Sequence, residues 1–302
     1  MLNVFMRNNV IFTSLNIIFL HMKKYWPYYA IVAAVVAIVA IVYALSDRPK
    51  SPRYLVLYYS ESGNTYKVAS TLADLLGDSY SMDMIIPTDP YGDTYEAVVE
   101  RALEERTSGR LPEIYPVESN LDDYDAIFLC YPVWFGTYAL PVASFLESVN
   151  LSGKKVVPIC TFGSGGLESS VRDLKAAQPG CEVLPGFGIR AARLDAAEKE
   201  LKGFLGTNGF IDYAVEEIED FGPVHAVSGE ESGIFDAAVG DYPMLNAKAD
   251  SVSSRPVTGG IEYQFLASDF PRAADSPSEP RRIRVDVLCE DGKPPVFTRV
   301  VR

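Results

Sequence analysis

Five short apolar runs, each followed by a stretch with helical spacing, constrain this chain more than any other feature. Tyr54–Tyr59 precedes Thr65–Leu76, where Val68, Leu72, Leu75 and Leu76 share one helical face. Ser81–Ile86 precedes the turn at Pro90–Gly92 and an exposed helix over Tyr95–Glu105. Ala126–Cys130 precedes Leu140–Val149, Lys155–Cys160 precedes Leu167–Ala177, and Glu182–Ile189 precedes Asp195–Leu205. The runs are continuously apolar rather than alternating, as strands covered by helices on both faces must be. The pattern predicts an α/β domain over residues 53–207, built on a five-stranded doubly wound parallel sheet. Such sheets bind ligands beyond the carboxyl ends of their strands, so the loops after the first, third and fourth runs are where chemistry is expected.

After Gly206 the period changes. Ile234–Val239 reads as a short helix, and Ile261/Tyr263/Phe265 and Ile283/Val285/Val287 alternate with polar residues, followed by a last strand over Pro295–Val301. Residues 211–302 are therefore expected to form a small α+β domain with an antiparallel sheet, interrupted by a polar, mobile Ser268–Pro280 loop.

A different signal lies ahead of both. Tyr28–Leu45 is an uncharged run of 18 residues, mostly Ala, Val and Ile. A helix of that length is about 27 Å long, close to the hydrocarbon thickness of a bilayer. Lys23 and Lys24 precede it, Arg48, Lys50 and Arg53 follow it, and Trp26, Tyr28 and Tyr29 suit the headgroup level. Residues 25–46 are thus expected to be a single-pass transmembrane anchor. A cleavable signal peptide is the rival, with small residues at Ala44-Leu45-Ser46, but the run exceeds the ~7–15-residue core of such peptides. Residues 1–24 are expected to be an N-terminal tail, and because Met22-Lys23-Lys24 has the form of a natural start, translation from Met22 would leave out residues 1–21. Basic residues balance around the segment, so charge does not set orientation; the short tail leans the soluble part outside the cytoplasm.

Charge narrows the function. Residues 1–53 hold six of the 27 basic residues and one of the 40 acidic ones, leaving 21 against 39 and a net of −18 beyond them. That surface repels phosphate backbones and argues against nucleic acid, while it suits a basic protein partner. The four cysteines, Cys130, Cys160, Cys181 and Cys289, form no CxxC pair and have no histidine at metal-ligand spacing. Cys130 and Cys160 end apolar runs and read as core residues. With only His21 and His225 in the chain, no metal site and no side-chain catalyst is expected.

The loops carry the remaining signal. Ser60-Glu61-Ser62-Gly63-Asn64-Thr65 runs from the first strand into a helix. The helix start offers unpaired N–H groups, Gly63 permits close approach, and the Ser60, Ser62 and Thr65 hydroxyls can donate to a phosphate. Lys67 is the nearby basic residue, so neutral donors would do most of the work. The third strand runs into Tyr131-Pro132-Val133-Trp134-Phe135-Gly136-Thr137-Tyr138, where Trp134 is placed to stack on a flat ring and backbone near Gly136 to meet its polar edge. The fourth runs into Thr161-Phe162-Gly163-Ser164-Gly165-Gly166, a turn rich in N–H groups. One loop suits a phosphate and two suit an aromatic ring system.

These motifs, in this order, resemble the flavodoxin family. The serine turn resembles its phosphate loop, Tyr124–Trp134 its third strand and ring loop, and Gly153–Pro158 with Thr161 and Gly163–Gly166 its fourth strand and loop. Pro90-Tyr91, Tyr95, Glu104-Glu105, Pro112-Glu113-Ile114, Gly188-Ile189-Arg190 and Arg193 resemble one bacterial branch, and Phe135 stands where a second tryptophan is frequent. The resemblance implies non-covalent flavin mononucleotide (FMN). Ser60, Ser62, Gly63, Asn64 and Thr65 would hold its phosphate. Pro132, Val133, Trp134, Phe135 and Gly136 would contact the ring, and Thr161, Gly163, Gly165 and Gly166 would border its pyrimidine side. Aromatic and acidic surroundings would disfavour added negative charge on the ring and lower its potential. The implied function is electron transfer with a redox partner protein or a quinone. An NAD(P)H:quinone reductase and a non-enzymatic binding module are the alternatives. More faintly, Ser254–Gly260 with Tyr263 resembles the strand-turn-strand core of cystatin-like domains, in which glutamine stands where this chain has Arg255. That points to a structural or docking module rather than a protease inhibitor.

Overall fold

The computed structural model describes residues 26, 28, 30–39, 53–215, 218–240, 242, 244–271 and 279–302. Of the apolar 25–46 segment, Trp26, Tyr28 and residues 30–39 are helical, and the rest lies outside the described residues, as does the tail 1–24. Among the described residues no helix is long and apolar enough to cross a membrane. Residues 52–302 form one compact unit holding two sheets.

In the first sheet, β1 (Tyr54–Tyr58), β2 (Tyr80–Met84), β3 (Ala126–Trp134) and β5 (Lys155–Phe162) lie in the order β2-β1-β3-β5, with β6 (Glu182–Val183) and β7 (Phe187–Arg190) both beside β5. All these pairings are parallel. The central strands β1, β3 and β5 are apolar on both faces because both faces are covered. On one side α1 (Asn64–Leu76) and α5 (Ala197–Thr207) bring Val68, Leu72, Leu201 and Leu205 onto Val56 and Phe128. On the other, α3 (Leu140–Ser148) and α4 (Leu167–Ala177) bring Val142, Phe145 and Leu174 onto Leu57, Leu129 and Val156. β2 is a half-exposed edge strand, and α2 (Tyr95–Ser108) buries little beyond Ala102. Cys130 and Cys160 are fully enclosed, and burial pushes both thiols up, so neither is a ready nucleophile.

Three boundaries differ from the sequence expectation. The third strand runs past Cys130 to Trp134, because Tyr131 and Pro132 keep their register beside Cys160 and Thr161. Pro132 lacks a donor, but its carbonyl accepts from Ala139 N at 3.1 Å. The fifth strand is broken into β6 and β7 around Pro185-Gly186, where a Cβ on Gly186 would lie 2.9 Å from the Pro158 carbonyl. The last helix begins at Ala197, behind a 3-10 turn over Ala191–Ala196.

The second sheet has the order β12-β11-β10-β9-β8, where β8 is His225–Ala226, β9 Ala247–Val257, β10 Gly260–Asp269, β11 Arg281–Glu290 and β12 Val296–Val301. Its pairings are antiparallel. One face carries Val252, Phe265, Ile283, Val285, Val287, Phe297 and Val300 and packs under Phe235 and Val239 of α6 (Gly229–Val239). That helix starts five residues before the expected Ile234, capped by Ser228 and Glu231. Within the expected Ser268–Pro280 loop, β10 continues through Asp269, and 272–278 lie outside the described residues.

Candidate functional site

β1, β3 and β5 are neighbours in the sheet, so the three expected loops leave it side by side. At the end of β1, Gly63 takes φ 81°, a left-handed conformation suited to glycine, and as the residue before α1, which starts at Asn64, it offers no side-chain cap. The Asn64 and Thr65 N–H groups therefore lack the cap that a Ser or Asp side chain at position 63 would supply. Ser60 Oγ accepts from Tyr66 N at 3.1 Å, which leaves its own proton to donate outward. Thr65, 1% exposed, shares a 2.8 Å hydrogen bond with Thr161, 3% exposed. One hydroxyl donates to the other, so the pair locks the first loop to the end of β5 and keeps a second proton available. Ser62 is exposed. A Cβ on Gly63 or on Gly136 would meet open space, so neither position is glycine for lack of room.

The second loop is a hairpin. β3 turns through Phe135 and Gly136 into β4 (Thr137–Tyr138), pairing Val133 with Tyr138 and Trp134 with Thr137. Phe135 has φ 51° and Gly136 φ 86°, the two positive values of a type I′ turn. Phe135 is the one non-glycine with positive φ among the described residues. Its carbonyl accepts from Arg106 Nη1 at 3.0 Å, and that guanidinium lies 5.1 Å from its ring. Ser169 Oγ donates to the Gly136 carbonyl, so α2 and α4 both grip the tip. Thr137 Oγ1 is buried without a protein partner.

Trp134 is half-buried and meets the edges of Tyr59 and Tyr91, with ring centroids 5.7 and 5.1 Å away. It is thus propped in an aromatic corner, while Phe135, 43% exposed, is the aromatic face the hairpin presents outward. Tyr59 donates to Glu61 and Tyr91 to Glu105, and Arg101 holds Glu105 at 2.9 Å with its guanidinium 4.3 Å from the Tyr91 ring. Burial, and then the hydrogen bond to a carboxylate, raise both phenols above their ordinary pKa, so each stays neutral and a donor.

In the third loop the four expected residues divide. Thr161 still belongs to β5, and Gly163 is exposed. Gly165 and Gly166 are glycines for packing reasons: a Cβ on Gly165 would sit 2.0 Å from the Val300 carbonyl, and one on Gly166 2.5 Å from Val133 Cγ1. Arg190, at the end of β7, donates to the Gly163 carbonyl at 2.8 Å. Tyr59, Arg101 and Thr137 were not singled out from the sequence, and Tyr91 and Arg190 were named there without a role in the site. Tyr59 looked like the last residue of a strand, and the Pro90-Tyr91 and Glu104-Glu105 pairs stood out only through the family resemblance.

A cleft of about 470 Å³ lies elsewhere, between α5 and the second sheet. Its Arg193, Glu200, Glu262 and Arg299 are already tied in ion pairs, with Glu200, Arg193, Arg255 and Glu168 respectively. Burial raises the Glu200 carboxyl despite its arginine.

A parallel sheet ordered β2-β1-β3-β5, with β6 and β7 beside β5, and with a glycine-led helix start and an aromatic hairpin at its carboxyl edge, defines a nucleotide-cofactor-binding α/β protein. The flavodoxin family model matches residues 53–205, half of the chain, and the chain belongs to that family. A candidate flavoprotein from Bacteroides eggerthii is 26% identical over 52% of this chain and 97% of its own, with a TM-score of 0.46. A Lactobacillus acidophilus flavoprotein solved in complex with FMN is 22% identical over 49% of this chain and 97% of its own, with a TM-score of 0.42. Oxidised flavodoxin 2 from Bacillus cereus is 18% identical over 51% of this chain and 99% of its own, with a TM-score of 0.33. No curated protein matches the chain.

Proposed function

We propose that this chain is a membrane-tethered flavoprotein that holds FMN across the ends of β1, β3 and β5 and passes electrons between a donor and a redox partner protein or quinone. The observation that carries the reading is the hydrogen bond joining Thr65 to Thr161. It ties the start of α1 to the end of β5, making one rim from the loops expected to hold a phosphate and a ring. When bound, the flavin supplies the redox chemistry. The protein's share is to place it: N–H groups at 62–65 and the Ser60 and Ser62 hydroxyls for the phosphate, and Phe135 beside Trp134 for a ring face. The Thr137 hydroxyl is an unspent polar group beside that face. Glu61 and Glu105 place acidic groups near the rim and favour an uncharged ring.

The tether rests on sequence: the uncharged Tyr28–Leu45 run between basic flanks. A tag-accessibility assay on intact cells decides on which side of the membrane the folded part lies. For the cofactor, the full chain in detergent is titrated with FMN. Flavin fluorescence is expected to quench with a micromolar or tighter dissociation constant, and Trp134→Ala to weaken it about 10-fold or more, from ~1–3 kcal/mol of lost aromatic support. No uptake at micromolar FMN rejects the reading. NADPH oxidation with a quinone, faster than free FMN sustains, would define a reductase instead.

A further inference from the structure

The loop expected to border the pyrimidine side of the ring is held from behind by the second sheet. Val300 N donates to the Ser164 carbonyl at 2.6 Å, and the Val300 carbonyl lies against Gly165 closely enough to exclude a Cβ. Arg190 donates to the Gly163 carbonyl at 2.8 Å and to the Phe297 carbonyl at 2.9 Å, its guanidinium 3.4 Å from the centre of the Phe297 ring. Burial lowers its pKa to about 10, so it stays charged at neutral pH. Arg299 pairs with Glu168 at 3.3 Å, and Arg302 reaches Ser164 Oγ at 3.4 Å. β12 is an edge strand, and the outward N–H of Val300 is spent on this loop rather than on water.

A trans peptide points its C=O and N–H in opposite directions. The Gly163 carbonyl faces Arg190 of β7 and the Ser164 carbonyl faces Val300 of β12, so the Ser164 N–H is turned away from that guanidinium and the Gly165 N–H away from β12. We infer that β12 is a positioning element of the cofactor site: by holding the Ser164 carbonyl directly and the Gly163 carbonyl through Arg190, which it anchors at Phe297, it aims the Ser164 and Gly165 N–H groups at the polar edge of the flavin ring. The inference rests on the FMN reading above and gives the second sheet a role in setting flavin affinity and potential. Donors fixed on that edge favour electron uptake by the ring, so releasing them lowers the midpoint potential.

The test uses the full chain and two variants. Val300→Pro removes the outward donor. Because that N–H is not a ladder donor, proline is tolerable at this edge position. Gly165→Ala forces the same contact apart from the loop side. Three quantities are compared with the wild type: amide exchange of residues 163–166 in the flavin-free protein, the FMN dissociation constant, and the midpoint potential of the bound flavin. Faster loop exchange, FMN binding weaker by about tenfold in both variants and a lower potential are expected, as for one or two loosened hydrogen bonds. A loop that stays protected in Val300→Pro, or one that is released with FMN affinity and potential unchanged, overturns the inference. A wild-type chain that takes up no FMN removes the reading beneath it, an outcome visible before any variant is made.

Discussion

At the scale of single residues, the site spends its buried polar groups on holding loops together. Thr65 and Thr161 are both almost fully enclosed and satisfy each other. Thr65→Val keeps the shape and strands the Thr161 hydroxyl, which costs about 1–3 kcal/mol. A lower urea midpoint with an unchanged slope is the expected result. Phe135 holds a backbone angle that disfavours side chains with a Cβ by about 1–2 kcal/mol. Asparagine tolerates that region and suits the turn, whereas a β-branched residue does not. Phe135→Asn should leave the flavin-free protein as stable as the wild type, or up to about 1 kcal/mol more so, and Phe135→Val should lower its stability by about 1 kcal/mol or more. Thermal unfolding of the two variants orders them, and a valine variant as stable as the asparagine one would show the turn to be unstrained. The glycines teach the same lesson from the other side. Gly63 and Gly136 face open space, while Gly165 and Gly166 make room for Val300 and Val133. A run of glycines in sequence does not say whether a ligand or the protein fills the gap.

At the scale of elements, periodicity carried most of the fold. Continuous apolar runs gave the parallel strands, because both of their faces are buried, and Val68 with Leu72 gave α1 its inner face. What stayed hidden was local chemistry that overrides composition. Pro132 looks like the end of a strand, yet it lies inside β3. Gly229 and Gly233 hide the first turn of α6, which instead rests on a capping box. Ser228 Oγ accepts from Glu231 N at 3.3 Å and Glu231 accepts from Ser228 N at 2.9 Å. Ser228→Ala should cost about 1 kcal/mol, read as a lower denaturation midpoint. Glu231 also accepts from His225 at 2.8 Å, and that hydrogen bond raises the imidazole pKa above its ordinary value. The pair therefore favours the folded state at pH below the ordinary histidine range, and its contribution fades as pH rises through the raised folded value. NMR titration should place His225 above the ordinary range and return it towards that range in Glu231→Gln.

At the scale of the molecule, the feature least visible in the sequence is that the two sheets share one compact unit. The polar residues of β10 and β11 alternate with apolar ones, a pattern that reads as a solvated outer face. Asp286 belongs to that pattern and is 1% exposed. It accepts from Arg284 Nε at 2.9 Å and from Arg299 Nε at 2.7 Å, and Arg299 reaches on to Glu168 of α4. A buried carboxylate between two guanidinium groups thus orients the arginine that ties the sheets. Removing one partner of a fully buried ion pair costs about 3–5 kcal/mol. Here both arginine side chains are about one-third exposed, and water can recover part of their solvation. Asp286→Ala should therefore lower stability by about 1–3 kcal/mol. It should also loosen the docking, so the variant is expected to expose sites around 163–168 to limited proteolysis before global unfolding, whereas the wild type resists until both sheets open together. An Asp286→Ala protein within 0.5 kcal/mol of the wild type and equally resistant would mean that the apolar contacts of Phe297 and Val300 carry the docking unaided, with the charged face contributing nothing to it.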